Sequence, residues 1–236
     1  KRNKIKELEK NLHYLKNYNK IEKNNIIDFL IKNDYITFKE THNIWNNIDR
    51  NLYMDYYNDM ILNTKGLISE NINECNCIIL TEIIMNKYLE KLNIEEIIGI
   101  LCIFIKEKCE EEIYIDDLKI SKEMNKILKE IEKLCVKYEN MENELFININ
   151  SDWEIYLSFI EAGYMWGKKK DIYTIYNYCN IYEGNFIKNI IELNNICNNI
   201  INICEIIKNY DLLKKMENVH EILIREQVTL ESLYIK

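Results

Sequence analysis

Residues 182–207 read YEGNFIKNIIELNNICNNIINICEII, and this Asn- and Ile-rich run decides the fold. It follows Ile181 and opens with Tyr182-Glu183-Gly184, after which neither Gly nor Pro interrupts it. A run of this kind predicts one helix of roughly 25 residues after Gly184.

The rest of the chain is equally poor in helix breakers. Its 236 residues contain five Gly and no Pro, so long helices are permitted throughout. Hydrophobic residues make up 47% and charged residues 30%, which is typical of a globular protein. We therefore predict a mainly α fold: a helical bundle with a small β-hairpin and an N-terminal coiled-coil stalk remnant.

Three segments are expected in order. Residues 1–33 read as a basic helical stalk remnant, residues 34–72 as a small mixed segment, and residues 73–236 as a C-terminal helical bundle. The hairpin is predicted from two β-prone runs, Met60-Ile61-Leu62 and Leu67-Ile68, on either side of a turn that contains Gly66.

Local signals set the expected ends of the helices in the bundle. Helix starts are indicated by Asn93 with Glu96, by Ser121, by Ser151 with Glu154, and by Asp171. The corresponding helices are expected to run to about Cys109, through Tyr138, to Gly167 and through Tyr178, and a last one to span Tyr210 to Tyr234.

Charge and cysteine content limit the classes of function. The net charge of −8 argues against general nucleic-acid binding, although residues 1–25 carry eight Lys and Arg against three Glu. Eight Cys without a C-x-x-C motif favour a reducing compartment. The longest apolar run, Ile97 to Ile105, is about half of a membrane span, so no membrane partner is expected. Because the chain does not begin with Met, we expect a piece of a longer polypeptide.

No catalytic constellation is visible. The chain contains no phosphate-binding G-x-x-x-x-G-K-[ST] or G-x-G-x-x-G motif and no G-x-S-x-G elbow. Its three His residues lie far apart in sequence, and none has a partner at metal-ligand spacing. We therefore predict no catalytic, cofactor-binding or metal site in this chain, and whether the whole protein is an enzyme stays open at this point.

Several short motifs, read in order, resemble the C-terminal (DSHCT) domain of the exosome-associated, superkiller-type DExH-box RNA helicases. The resemblance covers about residues 60–236 and is closer to the nuclear mRNA-transport/TRAMP helicase than to the cytoplasmic superkiller helicase. The motifs are Lys65-Gly66-Leu67-Ile68, Leu80-Thr81-Glu82, the run from Leu92 through Phe104, Tyr164-x-Trp166 with Tyr182-Glu183-Gly184, and Arg225-Glu226 with Ser232-Leu233-Tyr234-Ile235.

The resemblance implies a role for the helix that begins at Glu183-Gly184. It would be the "ratchet" helix that lies along single-stranded RNA, in a bundle that braces two RecA-like motor domains and serves the RNA exosome with its adaptors. Lys188 stands where the family has an Arg, whereas Glu192 and Asn195 replace an Arg and a Glu directed toward RNA. Because Glu192 repels phosphate, we expect only weak RNA binding. ATP and Mg²⁺ would belong to the parent helicase, which would be nuclear or, alternatively, cytoplasmic.

Other interpretations stay open beside these. Arg225 is an RNA-contact candidate, but it could instead pair internally with Glu226. Tyr164, Trp166 and Tyr182 are expected in the core. Thr81-Glu82 could mark a helix start, and Lys168-Lys169-Lys170 could be an exposed turn. If RNA contacts have moved, Lys208, Lys214 and Lys215 are candidates. The rival function is a non-catalytic helical adaptor that binds proteins and not RNA.

Overall fold

A computed structural model describes residues 2–39, 53, 57–109, 112–149 and 151–225, without the side chains of residues 2, 3, 8–11 and 13–16. Over these residues the fold is mainly helical, as predicted, with one two-stranded sheet. In chain order its elements are α1 (Arg2–Lys32), β1 (Ile36–Phe38), β2 (Met60–Leu62), α2 (Thr64–Glu70), α3 (Cys77–Met85), α4 (Ile94–Leu101), α5 (Lys122–Glu144), α6 (Ile160–Gly167), α7 (Ile172–Cys179), α8 (Glu183–Ile207) and α9 (Tyr210–Leu223). Short 3₁₀ turns lie at Leu89–Lys91, Cys102–Phe104 and Ile115–Asp117.

The chain divides into two compact units. The first draws on residues 1–67 and 137–151, and the second on residues 68–136 and 152–236. The three-segment organisation predicted from the sequence remains a prediction.

The small sheet belongs to the first unit. β1 and β2 pair antiparallel, with Thr37 opposite Ile61. The predicted hairpin is therefore wrong in its second strand, because residues 64–70 form α2 instead. The close approach of the backbones explains the glycine in this segment: a Cβ atom added at Gly66 would lie 2.2 Å from the carbonyl oxygen of Tyr35. The missing side chain at Gly66 thus lets α2 approach the backbone of Tyr35, and Gly66 does not form a hairpin turn.

The helix predicted at the basic N-terminal end of the chain is confirmed as α1. Its C-terminal end is buried, where the rings of Phe29 and Tyr138 lie 5.8 Å apart and the Asn33 amide donates to the carbonyl of Phe29 at 2.7 Å. Toward its N-terminal end, Ile5 and Leu12 lie seven residues apart and are both exposed. Apolar side chains at this spacing on an exposed helix are the kind of surface that a coiled-coil arm presents.

Glycines let helices of the second unit approach closely. A Cβ atom added at Gly163 of α6 would lie 2.2 Å from Sγ of Cys102, and one added at Gly167 would lie 2.6 Å from Cα of Glu95. A Cβ atom added at Gly99 of α4 would likewise lie 2.4 Å from Cε of Met124. Each of these glycines therefore allows backbone and side chains to approach closer than a side chain would permit.

Three predicted helix starts are confirmed. Asn93 and Glu96 form a capping box at α4, in which the Asn93 N–H donates to Glu96 Oε2 at 2.8 Å. The Met124 N–H donates to Ser121 Oγ at the start of α5, and Asp171 accepts from the Thr174 N–H at the start of α7.

Two predicted helix extents are wrong for a shared reason. α4 ends at Leu101 rather than near Cys109, and α6 begins at Ile160 rather than beside Ser151. The segment that follows α4 and the segment that precedes α6 bond to each other instead: the Tyr156 N–H donates to the carbonyl of Ile103 at 2.9 Å. Ser151, which was expected to cap α6, donates its hydroxyl to Glu142.

The last helix is also shorter than predicted. α9 ends at Leu223, and Ile224 leaves the helical region at φ −92°, ψ 78°. The terminal motif at residues 226–235 lies outside the described residues. None of the helices in the described part of the chain is both long and apolar enough to cross a membrane.

Candidate nucleic-acid interface

The helix predicted from residues 182–207 is confirmed as α8, 25 residues long. Tyr182 precedes it in an extended conformation, and Lys208 ends it in the left-handed region at φ 57°. The Asn209 N–H then donates to the carbonyl of Cys204 at 2.9 Å, which closes the last turn. A Cβ atom added at Gly184 would have nothing within 4 Å of it, so close packing does not require a glycine at this position.

One face of α8 is fixed by burial. Phe186 lies in an aromatic cluster, with its ring centroid 5.3 Å from that of Trp166, 5.5 Å from that of Tyr176 and 5.8 Å from that of Phe159. Toward its C-terminal end the helix packs on α9, where Cys197 Sγ lies 3.4 Å from the carbonyl of Met216. Residues of α8 that share this face are fully buried: Phe186, Ile190, Leu193, Ile196, Cys197, Ile200, Ile203 and Cys204.

Lys188, Glu192 and Asn195 lie together on the opposite face. Their spacing of four and three residues places them side by side on the helix surface. Lys188 and Asn195 are exposed, and Glu192 is half-buried. The structure thus brings three of the four RNA-contact candidates onto one surface, while their contact with RNA stays a prediction.

The electrostatics of this face are weak. α8 contains one Lys and no Arg, against Glu183, Glu192 and Glu205. A single cation can neutralise about one phosphate, and Glu192 stands one turn away from it. The face is suited to contacts that do not depend on charge.

The N-terminal turns of α8 are held by a carboxylate that the sequence analysis missed. Glu107 accepts from the amide of Asn185 at 3.0 Å with one oxygen and from that of Asn189 at 2.6 Å with the other. Ser158 in turn donates its hydroxyl to the Glu107 carbonyl. Only the i, i+4 spacing of the two asparagines could have hinted at a shared partner. The consequence is a fixed rotation of α8 about its axis, with Lys188 outward.

Arg225 lies elsewhere, on the aromatic core. Its guanidinium carbon is 3.6 Å from the centroid of the Trp166 ring. The same group donates to the carbonyls of Trp166 at 3.1 Å and Lys170 at 3.0 Å. The Trp166 carbonyl belongs to the last turn of α6, so the guanidinium acts as a cap there, and the Lys170 carbonyl belongs to the turn that follows this helix. Pairing with Glu226 falls outside the described residues.

The aromatic predictions are confirmed at two of three positions. Trp166 and Tyr164 are buried, whereas Tyr182 is 83% exposed. Tyr182 was wrongly expected in the core. It precedes α8 with an extended backbone at φ −72°, ψ 142°, so it lies outside the helical turns whose aromatic rings are buried.

The remaining motifs are also located. Thr81 and Glu82 lie buried in the middle of α3, which begins at Cys77 after the capping residue Asn76, so they do not mark a helix start. Residues 168–170 form an exposed turn, as expected.

The alternative cations differ in their availability. Lys215 is engaged within the bundle, where its ammonium donates to the carbonyls of Glu90 and Leu92 at 2.8 and 2.9 Å. Lys208 and Lys214 are exposed. In the described part of the chain, no group of three or more His, Cys, Asp or Glu is placed to hold a metal ion.

The model of the DSHCT (NUC185) domain matches residues 59–230. The chain belongs to the DSHCT family. It is a DSHCT domain of the type found in superkiller-type helicases, which confirms the resemblance of its motifs. The match includes all of α3 to α9 and ends five residues beyond the described part of the chain.

Three relatives are similar to this DSHCT domain. "ATP-dependent RNA helicase mtr4" of Schizosaccharomyces pombe is 23% identical over 181 residues, 75% of this chain and 16% of the relative. "mRNA transport homolog 4" of Caenorhabditis elegans is 23% identical, over 75% of this chain and 17% of the relative. "Antiviral helicase SKI2" of Saccharomyces cerevisiae is 26% identical, over 78% of this chain and 14% of the relative. The DSHCT domain therefore matches at most 17% of the length of these curated relatives.

Proposed function

We propose that this chain is the C-terminal helical bundle of an ATP-dependent RNA helicase that acts as a cofactor of the RNA exosome. In this role it braces RecA-like motor domains and guides single-stranded RNA. Family membership supports the helicase, and the relatives include proteins named as an ATP-dependent RNA helicase and an antiviral helicase. The same proposal includes the RNA exosome and its adaptors as partners. It also includes a nuclear location, with a cytoplasmic one as the alternative. ATP and Mg²⁺ would bind in the motor domains of the parent protein.

The observation that carries RNA guidance is the outward face of α8. Lys188, Glu192 and Asn195 lie on it together, and the aromatic cluster at Phe186 holds the opposite side of the helix in the core. A rigid rod with one exposed side suits a strand that slides past it, because α8 need not reorganise as RNA moves. One cation positions the strand only weakly, so directional movement would come from the motor.

Binding of single-stranded RNA to the full 236-residue chain tests the proposal. We expect fluorescence anisotropy to give a Kd weaker than about 10 µM and a salt slope of about one phosphate contact or less between 50 and 200 mM salt. Lys188→Ala should weaken binding further and remove most of that slope. Lys133→Ala changes an exposed Lys of α5 and is the matched control. No measurable RNA binding at 200 µM protein would contradict the guidance role.

The helicase assignment has a separate check in the parent gene. We expect DExH and GKT motifs in the reading frame upstream of Lys1, because the proposed motor requires them. A frame without them would contradict the helicase role, whatever the result of the RNA measurement.

A protein adaptor is the second candidate. The excess of Glu over Lys on α8 favours it, because acidic side chains repel phosphate but not a basic protein partner. If the chain lacks RNA affinity and its parent lacks motor motifs, the adaptor is the better description.

A further inference from the structure

The C-terminal motif of the chain takes no part in the contacts described so far. It lies in residues 226–236, which read EQVTLESLYIK and follow Arg225 outside the described part of the chain. The DSHCT model matches as far as residue 230, so the first part of this segment belongs to the domain. Apolar side chains are dense in it and favour burial over exposure to water: Val228, Leu230, Leu233, Tyr234 and Ile235.

Arg225 fixes the place from which this segment starts. Its guanidinium stacks on the Trp166 ring and donates to the carbonyls of Trp166 and Lys170. The chain therefore leaves the described residues beside the C-terminal end of α6. Eleven residues follow, and an extended chain of this length spans at most about 40 Å. That length is ample for a return onto the same end of the bundle.

A cavity of about 490 Å³ lies at this end of the second unit. Its lining comes from the start of α4, from the end of α6 with the turn after it, and from the last turn of α9, and includes Ile94, Gly167, Lys168, Lys169 and Ile222. Ile222 stands three residues before Arg225, so the cavity borders the point where the segment starts. Cavities of this size enclose bound groups in other proteins.

The charges of the cavity and of the segment are complementary. Lys168 and Lys169 line the cavity and are exposed, against one lining carboxylate, that of Glu95. The segment carries Glu226 and Glu231 on either side of its first apolar residues. Opposite charges attract over the few ångströms that separate neighbouring side chains. The cavity thus suits an occupant in which acidic residues alternate with apolar ones, as they do in residues 226–235.

We propose that residues 226–236 fold back onto this cavity. Their apolar side chains pack on Ile94 and Ile222, and Glu231 lies beside Lys169. The occupant is the chain's own C-terminal segment, which closes the end of the bundle where α4, α6 and α9 meet. This inference is independent of any role in RNA binding.

Methyl NMR of the full 236-residue chain tests the contact directly. With the Ile δ1 and Leu methyl groups labelled with carbon-13, we expect NOE cross-peaks from Ile94 or Ile222 to Leu230 or Leu233, because an NOE joins only groups that are close in space. Single Ile→Val and Leu→Met variants assign the four signals. Absence of every cross-peak between these isoleucines and these leucines would overturn the proposal.

Cleavage by a glutamate-specific protease gives a second readout. The bond after Glu231 should be cut about tenfold faster in Leu233→Ser than in the unchanged chain, because docking withholds this bond from the protease. Leu12→Ser makes the same change at an exposed position of α1 and is the matched control, which should leave the rate unchanged. Equal rates in the unchanged chain and Leu233→Ser would contradict docking.

A change on the cavity side identifies where the segment docks. Lys169→Glu alters an exposed side chain and repels Glu231, so it should speed the same cleavage about two- to fivefold. Lys133→Glu makes this change on exposed α5 and should have no effect. If Leu233→Ser speeds cleavage but Lys169→Glu acts no differently from Lys133→Glu, the segment packs elsewhere and the assignment to this cavity is wrong.

Discussion

The guanidinium of Arg225 stacks on the indole of Trp166, with its central carbon 3.6 Å from the ring centroid. The indole N–H donates in the other direction, to the carbonyl of Leu223 at 3.2 Å. Two family motifs that are far apart in sequence therefore meet as one structural unit. Arg225 joins the end of α9 to the end of α6, which gives it a structural task whether or not RNA also reaches it.

Loss of this stack should destabilise the second unit. Arg225→Ala removes a cation–π contact and two hydrogen bonds to carbonyls, and should lower the free energy of unfolding by about 1–3 kcal/mol. Arg225→Lys should recover little of it, because an ammonium lacks the planar fork. Urea denaturation followed by circular dichroism measures both, with exposed Lys214→Ala as control. Equal stability of the Lys variant and the unchanged chain would show that charge alone is sufficient.

A methyl group at Gly163 should be poorly tolerated. The added Cβ atom would lie 2.2 Å from Cys102 Sγ, so Gly163→Ala should cost about 1–3 kcal/mol. Adding Cys102→Ala removes the sulfur, and the double variant should be more stable than the sum of the two single changes predicts. Gly184→Ala, where the space is open, should be neutral or slightly stabilising. If Gly163→Ala leaves the free energy of unfolding unchanged, α6 must move easily away from Cys102.

Reversing the charge of Glu192 should strengthen RNA binding. Glu192→Lys removes repulsion of phosphate and adds a cation one turn from Lys188, so the salt slope should steepen by about 0.7 for one new phosphate contact. Glu217→Lys makes the same change of charge at an exposed position on α9 and is the matched control. Anisotropy titrations at 50 and 200 mM salt compare the two variants. If both variants gain the same RNA affinity, binding depends on the net charge of the chain and not on the face of α8.

The carboxyl group of Asp116 should have a pKa below the ordinary value of an aspartate side chain. Its carboxylate bonds to the Lys129 ammonium and then to the amide of Asn125, and both lower the pKa of Asp116 from its ordinary value. A pKa lowered by folding means a contribution to stability that is present above about pH 3.9 and is lost as pH falls through the folded value. Carbon-13 NMR of the carboxyl should show the lowered pKa, and Lys129→Met should raise it. An unchanged titration in that variant would remove Lys129 as the main cause.

The sequence by itself determined most of the helices and the face of α8. Helix starts such as Asn93 and Asp171 were readable because capping joins residues only three positions apart. The absence of Pro made the length of α8 predictable for the same reason, since a helix is built from local hydrogen bonds. Lys188, Glu192 and Asn195 could be placed on one surface from their spacing alone.

Only the tertiary structure decided what depends on distant partners. β2 pairs with β1 across more than twenty residues, and α6 starts late because Tyr156 bonds to Ile103. Arg225 turns onto Trp166, and Glu107 holds Asn185 and Asn189, through contacts that no local pattern encodes. The physical reason is that a buried polar group takes whichever partner the folded chain brings near it, and that choice is made only when the segments pack.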